Sequence, residues 1–181
     1  MNMLDLFTPG KLNFVREEGG FVWENIIVES QILGFNSYLI FGNIVPIKLR
    51  MLYAILNRMG KTKNILIRRG FTYHQLLTIV LELEKYYDLV LFFHDPVSFN
   101  DLRGDEKHSL LNMIAISLLK YAETNNSICI FSSEENFKFP IEHKKIKMRE
   151  IEEGWLLESD GVIRIFYKDP HQASLNYFME V

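Results

Sequence analysis

The sequence is poor in several things that would each have pointed to a class of protein. Cys129 is its one cysteine, which excludes a disulfide framework and a cysteine metal cluster and fits a reducing, cytoplasmic setting. No apolar run approaches the roughly 20 residues of a membrane span, so no membrane partner is expected. The start, MNMLDLFTPG, lacks a basic stretch followed by an apolar one, so a signal peptide is not expected. The five histidines show no His-x-x-x-His spacing, and no metal is proposed. Internal repeats, low-complexity tracts and linkers are missing too. The 181 residues therefore read as one domain, 1–181, with an irregular N-terminal segment over 1–30. An apolar fraction of 48% against 24% charged residues suits a packed core rather than a disordered chain.

The most pointed absence is of acid. Between Ser30 and Leu81 there is no Asp or Glu, while the same window holds Lys48, Arg50, Arg58, Lys61, Lys63, Arg68 and Arg69. With a net charge of −3 overall, a window at +7 leaves −10 for the rest. Such asymmetry marks either a surface for an acidic partner or nucleic acid, or solvated cations balanced in space by acidic neighbours.

What is present alternates. A strand is expected within residues 21–28. Residues 38–41 (YLIF) form an apolar run suited to a buried strand before Gly42. Pro46 fits the first turn of a helix running to about Met59, and Gly60 suits its left-handed stop. Residues 65–67 (ILI) read as the next buried strand. Thr72-x-x-Gln75 is a capping-box pattern opening a helix to Tyr86. Residues 88–95 (DLVLFFHD) and 127–133 (SICIFSS) are further strands, with a helix between them capped by Asp105 and running to Glu123. A looser, basic region covers 134–147. Residues 153–167 (EGWLLESDGVIRIFY) are two strand-like runs around Asp160-Gly161, a strong hairpin signal, and a last strand is expected at 177–181. The sum is an α/β fold: a mixed, mostly parallel sheet flanked by helices, ending in antiparallel strands.

Gly60-Lys61-Thr62 resembles the end of a phosphate-binding loop, but Ile55 stands where the motif's first glycine belongs. The tripeptide also ends a helix, where the dipole repels phosphate, so it reads as a cap and turn. The better-placed segment is FGNIVPIKLRML (41–52), which leaves a strand and enters a helix. There Gly42 holds the first glycine position and Lys48 the lysine, but Ile47 replaces the second glycine and Leu49 the magnesium-binding hydroxyl. Pro46 removes one N–H from any cradle. The match alone equally fits an ordinary strand-to-helix turn.

The segments ILIRRGFTYHQLL (65–77) and LVLFFHDPVSFNDLRGDEKHSLLNMIAISLLKYAETNNSICIFSSEEN (89–136), with the closing RIFYKDPHQASLNYFMEV (164–181), resemble the core of RecA-fold recombinases over roughly residues 36–181. The nearest resemblance is to archaeal RadA and its eukaryotic counterpart. In that family a strand leads into Arg-Ala-Phe-(Asn/Thr)-x-x-His-Gln; here stand Arg69, Gly70, Phe71, Thr72, Tyr73, His74 and Gln75. The family's next strand ends in a magnesium-holding aspartate, matched by Asp95, for which a helix or turn cap is the other reading. The unit carrying the family's water-activating glutamate is missing, and the sensor glutamine falls near Ser133 or Glu134. The resemblance thus implies a vestigial nucleotide site at Gly42, Lys48 and Asp95, a non-catalytic paralogue and no cofactor.

The resemblance also implies two DNA-contacting loops. One covers about 96–107 with Arg103 and Lys107. The other is NFKFPIEHKKIKMR (136–149), with Lys138, Lys144, Lys145, Lys147 and Arg149 interleaved with Phe137 and Phe139, which suits phosphates and unpaired bases. An exposed basic loop beside Glu150, Glu152 and Glu153 is the alternative. The family's helix-hairpin-helix domain and Phe-x-x-Ala motif do not occur in this sequence, so filament formation by that route is not expected. Three functions follow as expectations: an accessory or mediator of recombination and DNA repair that binds single-stranded DNA or the active recombinase; a regulatory or homo-oligomeric interaction module without DNA contact; and a weak nucleotide-binding ATPase.

Overall fold

A computed structural model describes residues 2–18, 23–60, 64–96 and 102–167. After a short 3-10 turn at Met3–Leu6 come strand β1 (Leu12–Glu18), helix α1 (Trp23–Ile32), β2 (Ser37–Phe41), α2 (Leu49–Arg58), β3 (Ile65–Arg69), α3 (Tyr73–Leu81) and β4 (Leu89–Phe93). Then follow α4 (Gly104–Asn125), β5 (Ile128–Ser133), β6 (Lys144–Ile151), β7 (Gly154–Ser159) and β8 (Val162–Tyr167). The strands form one sheet in the order β3-β2-β4-β5-β1-β6-β7-β8. β1 to β6 pair in parallel, and β7 and β8 add antiparallel. This is the expected α/β fold with a mixed, mostly parallel sheet.

Burial explains the layers. β2, β4 and β5 are buried at every position and apolar except for Ser37, Ser132 and Ser133, so both faces need covering. α1 and α2 supply one cover, with Trp23, Ile26, Ile27, Leu52 and Leu56 packed on Leu39, Leu91 and Ile130. α3 and α4 supply the other, with Tyr73, Leu76, Leu111, Ile114 and Leu118 packed on Ile40, Phe92 and Phe131. β6 to β8 are covered on one face only. Ile146, Met148, Trp155 and Leu157 point into the α1–α2 core, and the alternate residues face out.

Punctuation follows local chemistry. Gly60 follows α2 at φ 66°, a left-handed position that suits glycine. The Thr72 hydroxyl accepts the Gln75 N–H at 3.2 Å, while the Gln75 side chain accepts the Phe71 N–H at 2.8 Å. Asp160 and Gly161, at φ 52° and 76°, make the two-residue turn joining β7 to β8.

Several expectations are corrected. The described residues of the segment 1–30 are not irregular: β1 lies between β5 and β6 in the middle of the sheet, and a helix starts at Trp23. The strand expected at 21–28 is helical from Trp23. Its β-branched residues favour a strand locally, but Trp23, Ile26, Ile27, Ser30 and Gln31 are buried together at helical spacing. β3 is half-exposed rather than buried, since among the described residues it pairs with β2 alone, at the edge of the sheet. α3 stops at Leu81, before a charged stretch, rather than at Tyr86. Asp105 sits in the first turn of α4, where its charge suits the dipole, and Arg103 occupies the cap position. The basic region of 134–147 gives way to β6 at Lys144. The strand expected at 177–181 lies outside the described residues.

Candidate functional site

From β2 the chain steps outward to β3, then back past β2 to β4. In an open parallel sheet such a reversal opens a crevice at the carboxyl ends of the strands, here between the turns after β2 and β4. Gly42 opens the turn after β2 and is buried; Asp95 follows β4 and is 7% exposed. The structure does bring the two segments together. The Asp95 carboxylate accepts the Ile44 N–H at 3.1 Å, and the Glu24 carboxylate of α1 accepts the Lys48 N–H at 2.8 Å. From the other side, Arg69 donates to the Gly42 and Asn43 carbonyls at 3.4 and 2.8 Å. A phosphate would be held by N–H groups of such a turn. Two of them already hold carboxylates of the chain itself.

The side chains fill the space as well. Ile47, at the motif's second glycine, is 6% exposed and belongs to the α1–α2 core; Val45 and Leu49 pack against that core. The Lys48 side chain is exposed.

Next to Asp95 is a buried polar cluster that the sequence did not announce. His94 lies 2.7 Å from the Tyr73 hydroxyl and 2.9 Å from the Ser133 hydroxyl. Its ring stacks near Phe131 and meets Phe137 edge-on. Burial, helped by nearby Lys107 and opposed by Asp95, pushes the His94 pKa down to about 3. Burial, with Glu135 and Asp95 nearby, pushes the Tyr73 phenol up. Glu17 of β1 accepts hydrogen bonds from Trp23 and Ser132. Its carboxyl is raised, burial being the main cause, with those bonds opposing. The cluster ties the ends of β1, β4 and β5 to α1 and α3.

The predicted DNA contacts are scattered over three elements. Arg103 is exposed just before α4, and Lys107 in its first turn lies 3.6 Å from Glu135. Residues 97–101 of that loop lie outside the described residues. Lys138 is exposed in the connection from β5 to β6. Lys144 is turned inward: its ammonium donates to the Leu6 carbonyl at 2.6 Å and lies 3.4 Å from the Thr8 hydroxyl. Lys145, Lys147 and Arg149 form an exposed row on one face of β6, and the register sets Arg16 beside Lys147. An open groove of about 280 Å³ runs along this row, lined by Glu18, Lys147, Arg149, Leu156, Glu158 and Ile163. Phe137 and Phe139, expected beside the cations, are each 7% exposed and pack on Phe14 and Phe131. They belong to the core.

Among the described residues no three His, Cys, Asp or Glu side chains gather as a metal site, and no helix is long and apolar enough to cross a membrane. No family model and no curated protein matches the sequence. Among solved structures the chain is similar to one described as "Crystal structure of the RadB recombinase", with a TM-score of 0.62 over 89% of this chain and 88% of that one, at 12% identity. A likeness at that identity speaks for architecture, and with the sheet described above it establishes a RecA-like fold.

Proposed function

We propose that this chain is a non-catalytic RecA-fold protein. It acts as an accessory or mediator in homologous recombination and DNA repair, holding single-stranded DNA on the β6 row and docking on an active recombinase. One observation carries the loss of catalysis: the turn after β2 spends its Ile44 and Lys48 N–H groups on Asp95 and Glu24. A triphosphate there would meet two carboxylates and the apolar side chains of Ile47 and Leu49 in place of a cradle and a magnesium ligand. A role in recombination is supported by the likeness to the RadB recombinase together with the exposed cations of β6. Arg103, Lys107 and Lys138 would extend the contact, while Lys144 braces the N-terminal turn.

Calorimetry with ATP and magnesium should show no binding; tight binding abolished by Lys48→Ala would overturn the reading of the turn. Single-stranded DNA should bind in a salt-sensitive way. Lys145→Glu with Lys147→Glu should weaken binding alike for every sequence and lower the salt slope by about 1.4, at ~0.7 per phosphate contact. A second reading, a protein-interaction module without DNA contact, is favoured by the exposed Ile163, Ile165 and Tyr167 of β8. Co-purification of a recombinase that survives nuclease, with no DNA shift at low salt, would select it.

A further inference from the structure

The cation row accounts for only half of the bare face of β6 to β8. On this side of the sheet α3 and α4 cover β2, β4 and β5, and Phe137 and Phe139 close over Phe14 of β1. Among the described residues the layer stops there. Side chains alternate along β7 and β8. Trp155, Leu157 and Phe166 pack on the α1–α2 core, so Leu156, Ile163, Ile165 and Tyr167 point to the bare side. The register joins them into one stripe: Leu156 lies beside Ile165, and Tyr167 beside Gly154, whose missing side chain leaves a notch. Ile163, Ile165 and Tyr167 are 61%, 44% and 68% exposed. Across β7 the same register sets Arg149 beside Leu156 and Lys147 beside Glu158.

A contiguous apolar stripe on an open sheet marks a surface that a partner covers. Nucleic acid on the β6 row leaves it bare, because isoleucine and leucine offer a base no ring to stack on. A second copy set stripe against stripe would leave the cations without counter-charge. The face carries Arg16, Lys145, Lys147 and Arg149 against two acids, Glu18 and Glu158, and Glu18 lies 3.8 Å from Arg16. Whatever covers the stripe therefore meets an excess of positive charge along one side. Dimensions select the shape. Ile163 to Tyr167 spans ~13 Å at ~3.3 Å per residue, the length of about nine helical residues. β6 and β8 are two strand steps apart, ~10 Å, within the ~10–12 Å width of a helix. A helix lying over β7 reaches the stripe with one side and the cations with the other.

We propose that the bare face of β6 to β8 docks an amphipathic helix from a partner protein, apolar along one stripe and acidic along the adjoining edge. The docked helix takes over Lys145, Lys147 and Arg149, so partner and single-stranded DNA exclude each other. The partner thereby sets when DNA is held. The exclusion rests on the reading that the β6 row binds DNA; the docking does not.

The probe is a display library of helix-forming peptides of about 18 residues, selected on the wild-type chain and depleted on Ile163→Thr with Ile165→Thr. Both positions are exposed and threonine suits a strand, and circular dichroism verifies folding. Enriched peptides should carry apolar residues at i, i+3, i+4 and i+7 with Asp or Glu along one flank. The most enriched peptide, synthesised with a dye, should bind the wild type and weaken with salt. Its affinity should fall roughly tenfold or more in the threonine variant and in Lys145→Glu with Lys147→Glu. An oligothymidylate of about 15 nucleotides should displace it, and the threonine variant should keep its DNA binding. No enrichment, or enrichment of basic or uncharged peptides, overturns the docking and leaves the DNA reading standing. So does a wild-type dimer in light scattering that the threonine variant loses, which gives the stripe to a second copy. Loss of DNA binding in the threonine variant gives the stripe to nucleic acid and also overturns the docking. Peptide and DNA bound together overturn the exclusion. Peptide bound as expected, with no DNA binding at low salt, supports the docking and overturns the exclusion together with the DNA reading of β6.

Discussion

The two halves of the sheet treat polar groups in opposite ways. In β2, β4 and β5, helices cover both faces, and polar groups at the ends of these strands and of neighbouring β1 are spent inside the molecule: His94 on Tyr73 and Ser133, Asp95 on a backbone N–H, and Glu17 of β1 on Trp23 and Ser132. In β6 to β8 one face is open, and Lys145, Lys147 and Arg149 meet solvent. The lesson is that a charged or polar residue at a strand end says little until the covering layer is known. Under helices it is structural; on a bare face it is free for a partner.

That contrast makes substitutions in the covered half costly to stability and those in the open half nearly neutral. The largest effect is expected for Phe139→Ala, at about 3–5 kcal/mol by denaturant unfolding, since the ring packs on Phe14 and Phe131. Binding of DNA per folded molecule should not change; a selective loss of binding with full stability would return Phe139 to the open half. Next comes pH. With its folded pKa lowered to about 3, His94 resists protonation in the native state, so its contribution is complete above pH 6.5 and is lost as pH falls below that. Between pH 7 and 5 the wild type should lose about 2 kcal/mol more than His94→Gln, at ~1.4 kcal/mol per unit. Parallel pH profiles would place the imidazole in water. Glu24→Ala should cost about 1–2 kcal/mol by stranding the Lys48 N–H. The smallest effect is expected for Lys147→Ala, within about 0.5 kcal/mol in thermal unfolding; a larger loss would mean that the β6 row is braced within the fold.

Strands buried on both faces were easy to read, because YLIF, LVLFF and ICIF leave no alternation to misjudge. Gly60, Thr72 and the Asp160-Gly161 turn were legible for local reasons of φ or capping. β1 was not legible, since LNFVREE is short and ends in charge, and its place was fixed by neighbours more than a hundred residues on. α1 was misread because Ser30 and Gln31 interrupt its buried stripe with polar side chains that bond to Ser37. At the site, the altered turn was visible in Ile47 and Leu49. Glu24 and His94 were not, because their partners are set by packing between separate elements. Phe137 and Phe139 looked like stacking rings because their spacing among lysines matches one; depth decides, and the sequence does not carry it.

The central position of β1 bears on how the protein is made. Leu12 is in register with Cys129, and Asn13 with Lys144. At ~5–20 residues per second, ribosomal synthesis leaves a newborn β1 waiting roughly 5–25 s for either neighbour. During that interval Leu12, Phe14 and Val15 are exposed to water, a natural target for a chaperone, and the middle of the sheet closes only once β5 and β6 have been made to flank β1.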